Sequence, residues 1–339
     1  MTGRATPGPI AVSLGDPAGI GPEIVLKAWQ ALHEAGDPFF VVGDRQVLAE
    51  TSSQVPLAVI GSATEAAAAF GQALPVIDIP LAGRAVPGRP SSDYAGQIIA
   101  WIETAVRMAL EGAASAVVTA PISKAPLYAA GFKFPGHTEF LGELTAGAPM
   151  SGPRGPIMML AAGDLRTVPV TIHEPYAKAP ERLTTELIVH AGEVTAAALV
   201  RDFAIQNPRL ALAGLNPHAG ESGAIGREEI EIIAPAAAIL RDRGIDCTDP
   251  KPADTLFHPQ ARATYDAVLC MYHDQALIPV KMLDFWGGVN ITLGLPIVRV
   301  SPDHGVGYDI AGRGRARADS LIAALKLARQ IAARRQGDQ

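Results

Sequence analysis

Eight short apolar runs punctuate the chain: PIAVSLG, FFVVGD, PVIDIP, SAVVTA, TVPVTI, RLALAGL, DAVLCMY and IVRVS. Between them lie segments with helical periodicity or helix-forming composition, at Glu23 to Ala35, Ala95 to Gly112, Pro180 to Phe203, Arg227 to Arg243 and Ala316 to Arg334. Apolar runs this short, bounded by turns, read as strands buried on both faces. Strands alternating with helices predict an α/β fold with a largely parallel sheet covered on both sides. Ala66 to Ala69 reads as a further helix, and the ending ARRQGDQ as a frayed, solvated terminus.

At 339 residues the chain exceeds the usual size of one domain, so two lobes or one large α/β domain are expected. Gly-rich turns place a first lobe at 1–130 plus 289–339 and a second at 131–288. The net charge of −6, with Lys and Arg dispersed, offers no basic footprint for nucleic acid. No run reaches the roughly 18 apolar residues of a membrane span, and MTGRATPGP lacks the apolar core of a signal peptide. A cytoplasmic protein without a membrane partner is expected. Cys247 and Cys270 cannot build a disulfide framework, and Cys270, inside an apolar run, is expected as a buried free thiol.

In open α/β sheets ligands gather beyond the carboxyl ends of the strands, where loops converge above a rigid support. Three such exits carry a histidine: His173 after TVPVTI, His218 in the Gly-rich turn after RLALAGL, and His273 after DAVLCMY. Their spacing is too long for a local zinc finger and suits three strands delivering side chains to one rim. Three neutral imidazoles are a recurring ligand set for catalytic Zn²⁺, which then keeps its full charge as a Lewis acid. The competing reading is three hydrogen-bonded rim residues, the commoner fate of a histidine at a strand end. His33 and His190 fall in helical patterns and His258 near a helix start, where structural roles suffice.

Other candidates surround these exits. His137 and Thr138, in PGHTEFL, stand at the entry to a helix and would hold an anion or simply cap the helix. Lys281, Asn290 and Arg299 follow the third exit and suit a phosphorylated or carboxylated substrate, or are solvated polar groups. Asp254 in PADTLF and Asp274 beside His273 are each a proton acceptor, a partner orienting a ligand imidazole, or, for Asp254, a turn residue. LGDPAGIGPE joins the first strand to a helix with Pro22 in its first turn and Asp16 as a candidate site residue. It matches neither GxGxxG nor GxxxxGK, so neither a Rossmann fingerprint nor a Walker loop is present.

Taken together, GDPAGIGPE, PISK, GHTEFL, GLNPHAGESG, PADTLF, MYHDQALIPVK, GVNITLGLP and RVSPDHG resemble the PdxA family of pyridoxal phosphate biosynthesis, from Ile10 to about Ala332. The resemblance implies a fold similar to isocitrate and isopropylmalate dehydrogenases, with two α/β lobes around an active-site cleft, and a homodimer with active sites at the subunit interface. It implies that His173, His218 and His273 bind a divalent metal, typically zinc, with magnesium or cobalt as alternatives. It further implies that His137, Thr138, Lys281, Asn290 and Arg299 bind substrate. SPDHGVGYDIAG resembles the HG...DIAG loop that approaches the adenosine of NAD or NADP, which carries His304, Gly305 and Asp309 over as cofactor residues. HGVGYDIAG departs from the more familiar HGTA form, and His173 is followed by Glu174 and Pro175 rather than a small apolar pair.

The implied reaction is oxidation of 4-phosphooxy-L-threonine to a β-keto acid that decarboxylates to 3-amino-2-oxopropyl phosphate. Related dehydrogenases act on four-carbon sugar acid phosphates or a ring dihydrodiol dicarboxylate. From other classes, a three-histidine metal hydrolase and a non-catalytic metal-binding scaffold are the competing expectations.

Overall fold

The apolar runs become strands because each is buried on both faces of a sheet, as in IAVS at residues 10–13 and AVLC at residues 267–270, where every residue is buried. The computed structural model describes residues 7–134 and 136–337. The first part of the chain runs β1 (Ile10–Ser13), α1 (Gly21–Leu32), β2 (Phe39–Gly43), α2 (Arg45–Thr51), β3 (Leu57–Val59), α3 (Ala66–Phe70), β4 (Leu74–Asp78), α4 (Ala95–Leu110), β5 (Ala116–Thr119), α5 (Lys124–Ala129) and α6 (His137–Leu144). It continues through β6 (Ile157–Ala162), β7 (Leu165–Pro169), α7 (Ala179–Arg182), α8 (Thr185–Phe203), β8 (Arg209–Ala213), α9 (Ala234–Asp242), β9 (Asp246–Lys251), α10 (Pro259–Arg262), β10 (Ala267–Cys270), α11 (His273–Leu283) and β11 (Val289–Leu293). It ends with β12 (Arg299–Pro302) and α12 (Asp319–Gly337).

Two compact units result, divided at Pro149/Met150 and at Gly294/Leu295. In the first unit the strand order is β3-β4-β2-β1-β5-β12, with every pairing parallel. α4 packs on β1 and β2 and brings the fully buried Trp101 indole into the core, where its Nε1 donates to the Ile79 carbonyl at 2.9 Å. In the second unit the order is β11-β6-β7-β10-β8-β9. Here β11 with β6 and β6 with β7 are antiparallel, whereas β7, β10, β8 and β9 run parallel. α11 covers β6, β7 and β10, and Ala276 and Val280 join Leu160, Val268 and Cys270 in one apolar cluster. Both cysteines are buried free thiols. No helix among the described residues is long and apolar enough to cross a membrane.

Several expectations differ from the fold. The unit boundaries fall at 149/150 and 294/295 rather than 130/131 and 288/289, because α6 packs on α4 in the first unit and β11 pairs with β6 in the second. The strand pairings are largely parallel, as expected, and the exception is β6, which the tight turn at Gly163 folds back on β7 as a hairpin and which also pairs antiparallel with β11. The helix expected over Pro180 to Phe203 is broken. Leu183 is extended at ψ 124°, and the Thr184 side chain caps a new helix by accepting from the Leu187 N–H. The helix expected over Arg227 to Arg243 is present from Glu228 to Asp242, its Glu229–Ile233 turn widened to π geometry just ahead of Pro235, a residue with no N–H to give to the preceding turn. The tail is helical through Gly337 and is tied down by Arg335, which donates to the Leu295 and Pro296 carbonyls. Met1 to Thr6, Pro135, Asp338 and Gln339 lie outside the described residues.

Candidate active site

The second unit sets three histidines at one end of adjacent strands. β10 lies between β7 and β8, parallel to both, so the chains leaving them emerge on the same edge at the strand spacing of about 4.8 Å. His173 leaves β7, His218 leaves β8, and His273 leaves β10 as the first residue of α11. The rings of His173 and His273 lie 5.8 Å apart. His273 Nδ1 donates to Asp274 Oδ1 at 2.7 Å, which fixes the tautomer that leaves Nε2 as a lone pair. The Tyr176 hydroxyl donates to the other Asp274 oxygen, and this bond, followed by that from His273, holds the Asp274 carboxyl below the usual carboxylate range. A cavity of about 250 Å³ opens here, lined by Thr171, His173, Tyr176, Tyr272, His273 and Asp274.

His218 stands in an unusual turn. From His218 to Ser222 five successive residues hold left-handed φ between 44° and 77°, and only Gly220 among them is glycine. Left-handed backbone costs an L-residue about 1–2 kcal/mol, so the turn persists only because its surroundings fix it. The clamp is Asn216, whose backbone N–H donates to Glu229 Oε1 at 2.7 Å. Its Nδ2 donates to Glu229 Oε2 at 3.0 Å and to Glu228 Oε2 at 2.7 Å. Glu229 is buried. His173 also has a left-handed φ, of 53°. Two of the three histidines thus occupy backbone that sequence preference alone would not select.

Among the described residues no three His, Cys, Asp or Glu side chains lie close enough together to hold a metal ion. The structure therefore brings His173 and His273 together and leaves His218 on the neighbouring exit, outside that pair. The donor chemistry nevertheless fits a metal. One imidazole is oriented by a carboxylate, and neutral nitrogen donors stand at three adjacent strand ends.

In the first unit His137 opens α6, and Arg299 opens β12 opposite Val117 of β5. Arg299 is 3% exposed. Its Nη2 donates to Thr119 Oγ1 at 2.7 Å and faces His137 Nδ1 at 3.4 Å. Burial pushes the Arg299 guanidinium down to about 10, so it stays charged at neutral pH. Burial, then the charges of Arg299 and Lys124, push His137 well below the usual histidine value. A neutral His137 accepting at Nδ1 carries its proton on Nε2, and that atom is buried with no hydrogen-bond partner among the described residues. Thr138, beside it, is buried. An N–H without a partner among the described residues, a buried cation and the N-terminus of α6 are chemistry suited to an anion.

A model of the family described as "Pyridoxal phosphate biosynthetic protein PdxA" matches residues 35–328. The chain belongs to the PdxA family. It is 66% identical to the 4-hydroxythreonine-4-phosphate dehydrogenase of Caulobacter vibrioides, over 99% of each chain. A crystal structure of 4-hydroxythreonine-4-phosphate dehydrogenase from Klebsiella pneumoniae superposes with a TM-score of 0.85 at 39% identity, over 96% of this chain and 99% of the other. A terephthalate 1,2-cis-dihydrodiol dehydrogenase from Burkholderia xenovorans superposes with a TM-score of 0.62 at 31% identity, over 95% and 98%.

The remaining candidates of this PdxA chain are spread over both units. In the second, Lys281 lies in the last turn of α11 with its Nζ 5.3 Å from the Phe285 ring centroid. Asn290, on β11, has a buried Oδ1 with no partner among the described residues. Asp254 is exposed on a short turn after β9 and makes none of the contacts just described. In the first unit the HG...DIAG loop is anchored to the loop after β1: the Ile20 N–H donates to the Val306 carbonyl at 2.8 Å, and the Tyr308 hydroxyl donates to the buried Asp16 carboxylate. Within that loop His304 Nδ1 lies 3.1 Å from the Gly305 carbonyl, and Gly305 and Asp309 are exposed. Asp16 thus serves as an anchor. Sequence reasoning gave no role to Thr119, Lys124 or Glu229. Lys124 had a signal, since it ends the PISK motif, whereas Thr119 and Glu229 become visible only through their partners.

Proposed function

We propose that this chain oxidises 4-phosphooxy-L-threonine at C3 with NAD or NADP, and that the resulting β-keto acid loses carbon dioxide to give 3-amino-2-oxopropyl phosphate. The observation that carries the reading is the alignment of His173, His273 and His218 on three adjacent parallel strand ends, in a chain with full-length relatives that bear that dehydrogenase name. His173, His218 and His273 would hold a divalent cation, zinc by their nitrogen chemistry or else magnesium or cobalt. When bound, it supplies positive charge that eases loss of the hydroxyl proton and of carbon dioxide.

The chain's own residues bind and orient. Arg299 and the Nε2–H of His137, with Thr138 beside them, present donors to an anionic group of the substrate. Lys281 adds a second cation, and Asn290 an amide oxygen that awaits a donor. As the C3 hydrogen leaves as hydride, the hydroxyl proton needs an acceptor. Asp254 and Asp274 are the candidates: Asp274 accepts from His273 and Tyr176 and so orients the imidazole, and Asp254 is exposed on the turn after β9. The loop holding His304, Gly305 and Asp309, fixed by Tyr308 to Asp16, would receive the nicotinamide dinucleotide.

The reading includes a homodimer in the cytoplasm with active sites at the subunit interface. It is supported by the apolar side chains exposed on and after α11, with Ile278 60%, Met282 82%, Phe285 60% and Trp286 50% exposed, beside Lys281. Nicotinamide reduction, followed by absorbance, should be fastest with 4-phosphooxy-L-threonine in a panel that includes a four-carbon sugar acid phosphate and a dihydrodiol dicarboxylate. Faster turnover of either of the others, or product formation without nicotinamide, would overturn the assignment.

A further inference from the structure

The polar break after β10 contains one residue that the chemistry above does not use. Gln275 is 7% exposed, and both ends of its amide are engaged. Oε1 accepts from the Met271 N–H at 2.6 Å, and Nε2 donates to the Gly214 carbonyl at 2.7 Å. Met271 is the last buried residue before His273, and Gly214 is the first residue after β8 on the way to His218. On its other side, the Met271 carbonyl accepts from Thr171 Oγ1 at 2.7 Å and from the Thr171 N–H at 3.3 Å. Thr171 lies two residues before His173. A continuous series of short, buried hydrogen bonds therefore runs Thr171–Met271–Gln275–Gly214 and touches the root of every histidine-bearing exit. Gly214 also packs closely under the left-handed turn, since a Cβ added there would lie 3.1 Å from the Ala219 Cα.

We propose that Gln275 is a positioning residue that sets the mutual placement of His173, His218 and His273, a role that rests on the three-histidine metal reading above. Backbone rungs from the Val170 N–H to the Cys270 carbonyl and from the Thr171 N–H to the Met271 carbonyl carry the β7–β10 ladder into two of the exits, whereas the β10–β8 register stops at Leu269 opposite Leu212, and beyond it the Gln275 amide ties Met271 to Gly214. The Gln275 amide offers an acceptor and a donor at once at opposite edges of one planar group. A carboxylate would oppose the Gly214 carbonyl, and an apolar isostere would leave both Met271 N–H and Gly214 C=O unpaired.

The test uses full-length protein stripped of metal and titrated with Zn²⁺ by calorimetry and with Co²⁺ by its visible absorption. Alongside it, amide exchange is measured over residues 214–223 and 271–274. Gln275→Met should weaken Zn²⁺ binding by about 10–100-fold, the range seen when groups supporting metal ligands are removed, and should alter the Co²⁺ spectrum. Gln275→Glu, which keeps the Met271 bond, should fall between it and the parent. If Gln275→Met does not fold, Thr171→Val, which removes only the hydroxyl bond to Met271, carries the same prediction at smaller size. A variant that melts earlier yet keeps the parent's Zn²⁺ affinity and Co²⁺ spectrum would overturn positioning in favour of a structural role. If the parent takes up no metal, or His218→Ala takes it up equally well, the metal reading falls instead. Positioning is then decided by exchange: faster exchange over 214–223 in Gln275→Met upholds it, and unchanged protection overturns it.

Discussion

Replacing Glu229 by alanine should release the turn that carries His218. Four non-glycine residues there, His218, Ala219, Glu221 and Ser222, hold φ of 53°, 50°, 44° and 54°. At about 1–2 kcal/mol each, the turn stores roughly 4–8 kcal/mol of backbone strain that its surroundings must offset. Glu229 supplies two hydrogen bonds from a buried carboxylate, to the Asn216 N–H and Nδ2. Bonds to charged groups contribute about 1.5–3 kcal/mol each, and Glu228 would retain its hold on Nδ2, so a net loss near 3 kcal/mol is expected. In hydrogen exchange on metal-free protein that loss is roughly 100-fold faster exchange at residues 217–225, with the core strands β8 and β10 unaffected. Glu229→Gln keeps an acceptor oxygen for the Asn216 N–H and should give about tenfold. Less than a threefold change in Glu229→Ala would refute the clamp and show that the turn is held by its own backbone bonds, such as Ile225 N–H to the Gly220 carbonyl.

Purified His218→Ala should lose bound metal and nicotinamide-dependent turnover together, as read by metal analysis and absorbance; an active, metal-free variant would sink the shared site. Lys281→Ala should raise KM for the phosphorylated substrate by about 10–100-fold with a smaller change in kcat, matching the loss of one charge-assisted contact. His137 has a depressed value in the folded chain, so the unfolded chain binds the extra proton. The stability it contributes is whole above about pH 6.5 and falls as pH drops below that, by up to about 1.4 kcal/mol per pH unit. His137→Gln should flatten that acid limb in denaturant titrations between pH 7 and 5, and an identical slope would show that His137 does not titrate there.

Strands buried on both faces announced themselves as unbroken apolar runs, and β1, β2, β5, β8 and β10 were legible for that reason. β9, DCTDPK, lies at the sheet edge with exposed positions interleaved among less exposed ones, so its composition reads as a loop. β3 has three residues, none buried, and is held by its pairing to β4. β11 was hidden differently: VNITL drew attention for Asn290 rather than for its alternation. The histidine exits were legible because a strand end is a local event. The left-handed turn at His218 was not, because its carboxylate clamp is formed by Glu229, thirteen positions beyond Asn216. Nor was the bridging role of Gln275, which joins Met271 to a carbonyl sixty-one positions away.

The pairing of β6 with β11 has a consequence for how this protein can be taken apart. Ile157 lies opposite Leu293, and the Gly155 N–H donates to the Gly294 carbonyl at 2.8 Å, so the first and last strands of the second unit are hydrogen-bonded neighbours. Its two chain ends therefore meet, as in a module inserted at a single seam. His173, His218, His273, Gln275 and Glu229 all fall inside it. Residues 150–294 form one uninterrupted length of polypeptide, so the histidine-bearing strand ends have a natural excision boundary, and a cassette exchange at that seam would move all three imidazoles and their supports as a set.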